Sequence, residues 1–180
     1  ETVRQYALTK LAESGEADTI RRRHAEYYLA LAEKGAHLVG YQRDPSWYDQ
    51  IEIEHDNFRA VLTWCQSVAD GVQIGFRLTD VLFPFYYYRG YWSEGLSWVE
   101  AILAHPRAGN YPLEQAQLQR MLGTALVVGG ADYTAGISYM IRSLKVFQEL
   151  NDRPNTAWSL HWLGLHARER GDALTARACL

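Results

Sequence analysis

Glu52 and His55 stand three residues apart in the stretch Ile51-Glu-Ile-Glu-His55, a spacing that sets a carboxylate and an imidazole on one helical face. Di-metal helical bundles use such a pair, but they need a second copy and two further carboxylates. The chain holds no second Glu-x-x-His, so structural polar contacts are the better reading of this pair. His161 and His166 are five apart, the wrong spacing to face one metal from a helix. Arg21-Arg22-Arg23 invites a nucleic-acid reading, yet successive helical residues fan round the axis, and Glu16, Asp18 and Glu26 balance them. Gly129-Gly130 is no phosphate loop, because no Lys-Ser/Thr follows and no strand precedes it. Cys65 and Cys179 lie in apolar helical registers, outside any Cys-x-x-Cys and away from a plausible base. No catalytic constellation emerges, so neither an enzyme nor a cofactor or metal site is expected.

What remains is a set of helices. Trp158 to Leu180 reads as an apolar-faced helix (Leu160, Leu163, Gly164, Ala167), a Gly171-Asp172 break, and a second helix packed by Ala173, Ala176 and Ala178. Gly164 and Ala176 are small enough to let the two helices approach closely. One such hairpin cannot bury both faces and calls for neighbours of its kind. Equivalent breaks occur at Gly90-Tyr91-Trp92 and Gly130-Ala131-Asp132-Tyr133. The turn positions Gly90, Ala131 and Gly171 lie 41 and 40 residues apart, and the pairs Leu122-Gly123 and Leu163-Gly164 repeat the spacing of 41. After the first two turns, apolar residues match: Leu96, Val99, Ile102 and Leu103, then Ile137, Met140, Ile141 and Leu144. A helix-turn-helix unit repeating every 40 or so residues indicates an α-solenoid. Unrelated hairpins in a globular bundle are the alternative.

Along the chain, residues 2–13 form a helix with Val3, Tyr6, Ala7 and Leu11 on one stripe, ended by Ser14-Gly15. A second helix over 17–36 carries Ile20, His24, Tyr27, Tyr28 and Leu31, and Gly35 to Arg43 reads as a linker. Asp44 caps the next helix with Pro45 at its first position; its apolar face is Ile51, Phe58, Val61, Leu62, Cys65 and Val68. After Asp70-Gly71 comes a helix over 72–89, with Ile74, Leu78, Val81, Leu82 and Phe85 inward and a kink expected at Pro84. Ser93 caps a helix that ends near His105-Pro106, and helices over 112–128, 133–150 and 154–170 complete the set. Nothing alternates with period two for long enough to be a strand.

At 180 residues, 48 % hydrophobic and 22 % charged, the composition is that of a folded chain with a sizeable core. A net charge of −3 offers no basic field to a phosphate backbone, so direct nucleic-acid binding is not expected. No apolar run reaches membrane-spanning length and no signal peptide opens the chain, so neither membrane nor export is expected. Two reduced core cysteines fit a cytoplasmic protein. Glu1 without a methionine, and a chain that stops inside a helix, suggest a piece of a longer protein.

The opening Glu1-Thr-Val-Arg-Gln-Tyr-Ala-Leu8, with Arg21-Arg-Arg-His-Ala-Glu-Tyr-Tyr28, resembles a segment of large bacterial signal-transduction ATPases, the LuxR-type and related transcriptional regulators of the STAND class. Ile51-Glu-Ile-Glu-His-Asp-Asn-Phe-Arg-Ala60 is similar to the lead-in to their tetratricopeptide-like repeats, and Tyr88-Arg-Gly-Tyr-Trp-Ser-Glu-Gly95 to their first repeat turn. Asp132-Tyr133 and Gly171-Asp172 resemble tetratricopeptide turns. Three features depart from that pattern: repeats longer than the usual 34 residues, an extra glycine at Gly129-Gly130, and Gly136 in place of alanine. The resemblance implies an all-α, right-handed solenoid of tetratricopeptide-like repeats over 44–180, truncated at its C-terminus. Two helices over 1–40 precede it, the tail of a winged-helix and ATPase unit. It further implies a sensor arm on which a protein, peptide or small inducer releases the ATPase unit of the parent chain. A non-switching adaptor scaffold is the alternative. The ATPase motifs are not in this sequence, so no ATP-binding residue carries over.

In such stacks the first helix of each pair lines the concave groove. Superposing the turns assigns to that groove Arg77, Asp80, Tyr87 and Tyr88, then Gln117, Arg120 and Thr124, then His161, Leu165 and Arg168. Aromatic rings would supply area and the arginines a two-pronged grip on a carboxylate. Against this, Arg77 and Arg120 could simply pair with Asp80 and Glu114 on a solvated face. The run Phe83-Pro-Phe-Tyr-Tyr-Tyr-Arg-Gly-Tyr-Trp92 covers every side of a helix, so its rings either fill both interfaces between repeats or leave Tyr87 and Tyr88 on the groove.

Overall fold

The computed structural model describes residues 2–34 and 44–179, and among them every regular element is helical. The expected linker at 35–43, and with it the boundary between a leading segment and the repeats, lies outside the described residues. By its contacts the chain divides into two compact units, Glu1–Tyr91 and Trp92–Leu180.

In the first unit, α1 (Thr2–Ser14) precedes α2 (Ala17–Lys34). The stripe expected on α1 is not a core face: Val3 is 82 % and Tyr6 64 % exposed. On α2 the buried line is Ala25, Leu29 and Ala32, whereas Ile20 and Tyr27 face solvent. Small residues win that face because α2 is wedged against both α4 and α5, and alanines permit the close approach. Residues 45–67 form two helices, α3 (Pro45–Ile53) and α4 (His55–Ser67), where one was expected. The break is Glu54, at φ −95° and ψ 8°. Its Oε2 accepts from Tyr28 Oη at 2.8 Å and from Asn57 Nδ2 at 2.7 Å, so the tertiary bond to α2 sits at the break itself. Burial, and then the bond to Glu54, push the Tyr28 phenol up to about 12. Asp44 caps α3 as expected, accepting from Ser46 N at 3.0 Å with Pro45 first in the helix. Trp47 Nε1 then donates to Ala32 O at 3.0 Å and ties α3 to α2. After a 3-10 turn at Ala69–Gly71, α5 (Val72–Tyr88) runs through Pro84 and buries Phe76, Leu78, Val81, Leu82, Phe85 and Tyr86. Cys65 is enclosed among these helices, and burial pushes its thiol up to about 12, so it is a core residue and no nucleophile.

The second unit holds α6 (Trp92–Leu103), which begins one residue before the Ser93 expected to cap it, then a 3-10 turn at Ala108–Asn110. The remaining helices are α7 (Pro112–Val128), α8 (Tyr133–Glu149), α9 (Arg153–Glu169) and α10 (Ala173–Cys179). Each of α7 to α10 packs on the next, and α7 also meets α9. The tightest contact is between α7 and α8, at two glycines. A Cβ on Gly123 would stand 2.6 Å from Gly136 O, and one on Gly136 would stand 2.6 Å from Val127 Cγ2 and 2.7 Å from Gly123 O. Gly136, the departure from the resembled pattern, is therefore the partner that Gly123 requires. On α8 the buried line is Gly136, Met140, Ser143 and Phe147, whereas Ile141, one of the apolar residues matched between repeats, is exposed. On α10, of the alanines expected to pack, only Ala176 is buried.

Left-handed residues stand at the three expected turns, Gly90 (φ 81°), Gly130 (φ 68°) and Gly171 (φ 77°), so the second turn pivots on Gly130 and not on Ala131; Gly15 (φ 74°) and Asn151 (φ 56°) take the same conformation after α1 and α8. Aspartates restart the chain: Asp132 accepts from Ala135 N, Asp152 from Asn155 N and Asp172 from Thr175 N, at 2.9 to 3.0 Å. Hydrogen bonds from Ser46, Asn155 and Thr175 hold the carboxyls of Asp44, Asp152 and Asp172 below the usual carboxylate range. A carboxyl depressed on folding stabilises the fold above its unfolded pKa, and that stability is lost as pH falls through the folded value. The melting temperature is therefore expected to drop below about pH 4. Asparagine caps without titrating, so a triple variant D44N/D152N/D172N is expected to flatten that drop in thermal melts. An unchanged acid slope would refute the cap assignment.

Candidate functional site

Of the polar residues singled out in the sequence, Glu52, His55 and Arg22 make local contacts within the first unit. Glu52 accepts from the Tyr91 hydroxyl and lies 3.9 Å from Arg89 Nε. His55 is buried beside Phe85, Tyr86 and Tyr91, with ring centroids 5.1, 5.9 and 4.7 Å away. Among the described residues, no group of three or more His, Cys, Asp or Glu side chains is placed to hold a metal. Arg21, Arg22 and Arg23 are all exposed, and Arg22 meets Asp70 at 3.6 Å. No helix of the described residues is long and apolar enough to cross a membrane.

Four of the expected groove residues belong to the first unit. Arg77 forks onto Glu33, Nε to Oε1 at 3.0 Å and Nη2 to Oε2 at 2.8 Å, a partner the sequence reading had not named. Asp80, one turn on, is exposed. The aromatic run divides by position. Phe85 and Tyr86 are sealed in the core, whereas Tyr87 and Tyr88 are 52 % and 53 % exposed. Those two rings meet edge to face, and Tyr48 of α3 meets Tyr88 in the same manner.

The other six belong to the second unit. Gln117, Arg120 and Thr124 follow one another along α7, each half-buried, and the Thr124 hydroxyl donates to Arg120 O. On α9, His161 and Arg168 are exposed. Arg120 does not stand alone: its guanidinium lies 4.1 Å from the ring centre of Trp158, a cation–π contact across α7 and α9. From Trp158 a row continues along α9, with Trp162 at 5.4 Å and His166 at 5.5 Å from Trp162. His166 Nδ1 lies 3.1 Å from Glu169 Oε2 one turn further on.

Beside this row opens a cleft of about 450 Å³. Val127 and Val128 of α7 and Leu165 and Trp162 of α9 give it an apolar lining. Tyr133, at the start of α8, and Arg170 also line it, and the Arg170 guanidinium lies 3.7 Å from the Tyr133 ring centre. His166 and Glu169 complete it. Of the groove positions expected on α9, Leu165 is the one that lines this cleft. The sequence reading places none of Trp158, Trp162, Tyr133, His166 and Arg170 in a binding site, although residues 158, 162 and 166 mark one helical face at four-residue spacing.

No family model matches the sequence, and no solved structure matches it. Proteins of Mycobacterium tuberculosis (strains H37Rv and CDC 1551) and Mycobacterium bovis do, each named provisionally as an HTH-type transcriptional regulator. They are 32 % identical to this chain over 158 residues, which cover 84 % of the chain and 18 % of the relatives. The chain is thus similar to a segment that makes up under a fifth of these regulators.

Proposed function

We propose that this chain is the binding arm of a multidomain transcriptional regulator, built as a tetratricopeptide-like helical stack, in which a partner or inducer is received and an effector elsewhere in the parent is released. The observation that carries the reading is the aromatic-edged cleft between α7 and α9. It supplies binding area and polar groups without an assembled nucleophile and base, and it lies in a chain similar to a segment of HTH-type regulators. The LuxR-type, STAND-class parent, an ATPase unit as the intramolecular partner, a cytoplasmic setting and a binding role for Gln117, Arg120, Thr124, His161 and Arg168 on α7 and α9 all belong to this proposal.

A ligand moves such a protein only through unequal affinity for its two states; carrying it from almost wholly off to almost wholly on takes about a 10⁴-fold difference. The test is reporter transcription driven by the full-length regulator that bears this segment. Trp162→Ala is expected to abolish the induced increment at matched protein level. Induction equal to wild type would contradict a switching arm and leave an adaptor. The DNA contact is assigned to another part of the parent, because this chain carries a net charge of −3 and Arg21 and Arg22 lie beside Asp18 and Asp70. In a gel-shift at physiological salt the 180-residue chain is expected not to retard duplex DNA. Sequence-dependent retardation at sub-micromolar concentration would contradict this.

A further inference from the structure

We infer that the α7–α9 cleft is a receptor site for a small, flat, amphipathic monocarboxylic acid that also carries a hydrogen-bond donor. The inference rests on the reading of this surface as a binding surface and names its ligand class.

Three features define that class. The first is the apolar wall of Val127, Leu165 and Trp162 in a cleft of about 450 Å³, a volume suited to a one- or two-ring molecule that stacks on the indole. The second is Arg170. Its guanidinium carbon lies 3.7 Å from the Tyr133 ring centre, and among the described residues no carboxylate pairs with it. A guanidinium in such a contact keeps N–H donors, and these match a carboxylate in two-pronged fashion. The third is His166, 6 % exposed, whose Nε2 is buried with no hydrogen-bond partner. In the neutral ring, donation from Nδ1–H to Glu169 leaves Nε2 as an acceptor, and an unsatisfied buried acceptor is costly. A ligand O–H or N–H removes that cost. Because Nε2 is sealed in this arrangement, the donor reaches it only after side chains around the His166 ring move aside.

Glu169 sets the charge. Held at the cleft by His166 Nδ1, it tolerates one negative charge opposite Arg170 and opposes a second, so a monocarboxylate is favoured over a phosphate monoester.

The test is calorimetry on the 180-residue chain with indole-3-acetate as probe. Three comparison probes each remove or alter one feature: indole-3-acetamide lacks the charge, 1-naphthaleneacetate lacks the donor, and 3-indolyl phosphate carries a second charge. Indole-3-acetate is expected to saturate below about 1 mM, with each comparison probe weaker by about tenfold or more. Arg170→Gln, at an exposed helix end, is expected to erase the preference for acid over amide, and His166→Phe the preference for indole over naphthalene. No saturable binding of indole-3-acetate by about 1 mM, or equal affinity in the Arg170→Gln protein, would overturn the inference. The two readings fail separately. If the acid binds as described but Trp162→Ala leaves induction intact, the switching role falls and the site stands. If Trp162→Ala abolishes induction while no acid binds, the ligand class falls and the arm stands.

Discussion

Gly136→Ala is expected to destabilise the protein by about 1–3 kcal/mol, although alanine is the better helix former. In an open helix interior the exchange would gain about 1 kcal/mol. Here the new methyl would lie 2.7 Å from Gly123 O and 3.2 Å from Val127 N, backbone atoms that cannot rotate away, as well as 2.6 Å from Val127 Cγ2. Helices α7 and α8 must then separate, and the packing around Met140 and Leu122 is lost with their approach. Gly123→Ala meets the same wall from the other side, at Gly136 O and Met140 Cγ. For a unit of this size the penalty corresponds to a fall in melting temperature of about 4–8 °C per kcal/mol, readable by far-ultraviolet circular dichroism. A variant that melts at or above the wild-type temperature would show that the two helices do not touch backbone to backbone.

The second large effect divides one aromatic run between two roles. Phe85→Ala is expected to cost about 3–5 kcal/mol, because a fully enclosed ring, packed against His55 and Tyr91, leaves a cavity that surrounding side chains only partly fill. Tyr87→Ala, two residues on, is expected to stay within about 0.5 kcal/mol, since half of that side chain is already in water. Chemical denaturation of the two variants in parallel checks the pair. Similar losses at both positions would mean that Tyr87 is a core residue too.

The helices and their turns were readable because their signals are local. Glycine is favoured where φ is positive, although Asn151 takes that conformation between α8 and α9, and aspartate before a helix satisfies amides that the helix leaves open. Even so, the middle turn was assigned to Ala131, one residue beyond the glycine that makes it, because equal spacing was weighed above backbone chirality. The division at Glu54 carries no glycine or proline to announce it; the break coincides with bonds from Tyr28 and Asn57, and the first of these is a tertiary contact. On α2 the inward face was assigned to the larger residues, but a helix held between two others selects the small ones, Ala25 and Ala32. The cleft was the least legible feature. Trp158, Trp162 and His166 share a face of α9, yet such a row reads as ordinary core until α7 brings Arg120 onto Trp158, and α8 brings Tyr133 under Arg170. Pairings between distant segments have no local sequence mark.

The central claim is that ligand binding is located on α7 and α9 of the second unit and not on the exposed tyrosines of α5. Amide hydrogen exchange of the 180-residue chain, with and without saturating indole-3-acetate, tests it most directly. Slowed exchange is expected in the last turns of α7, the first turn of α8 and the second half of α9, with α5 unchanged. Protection centred on Tyr87 and Tyr88, or none at any helix, would contradict it.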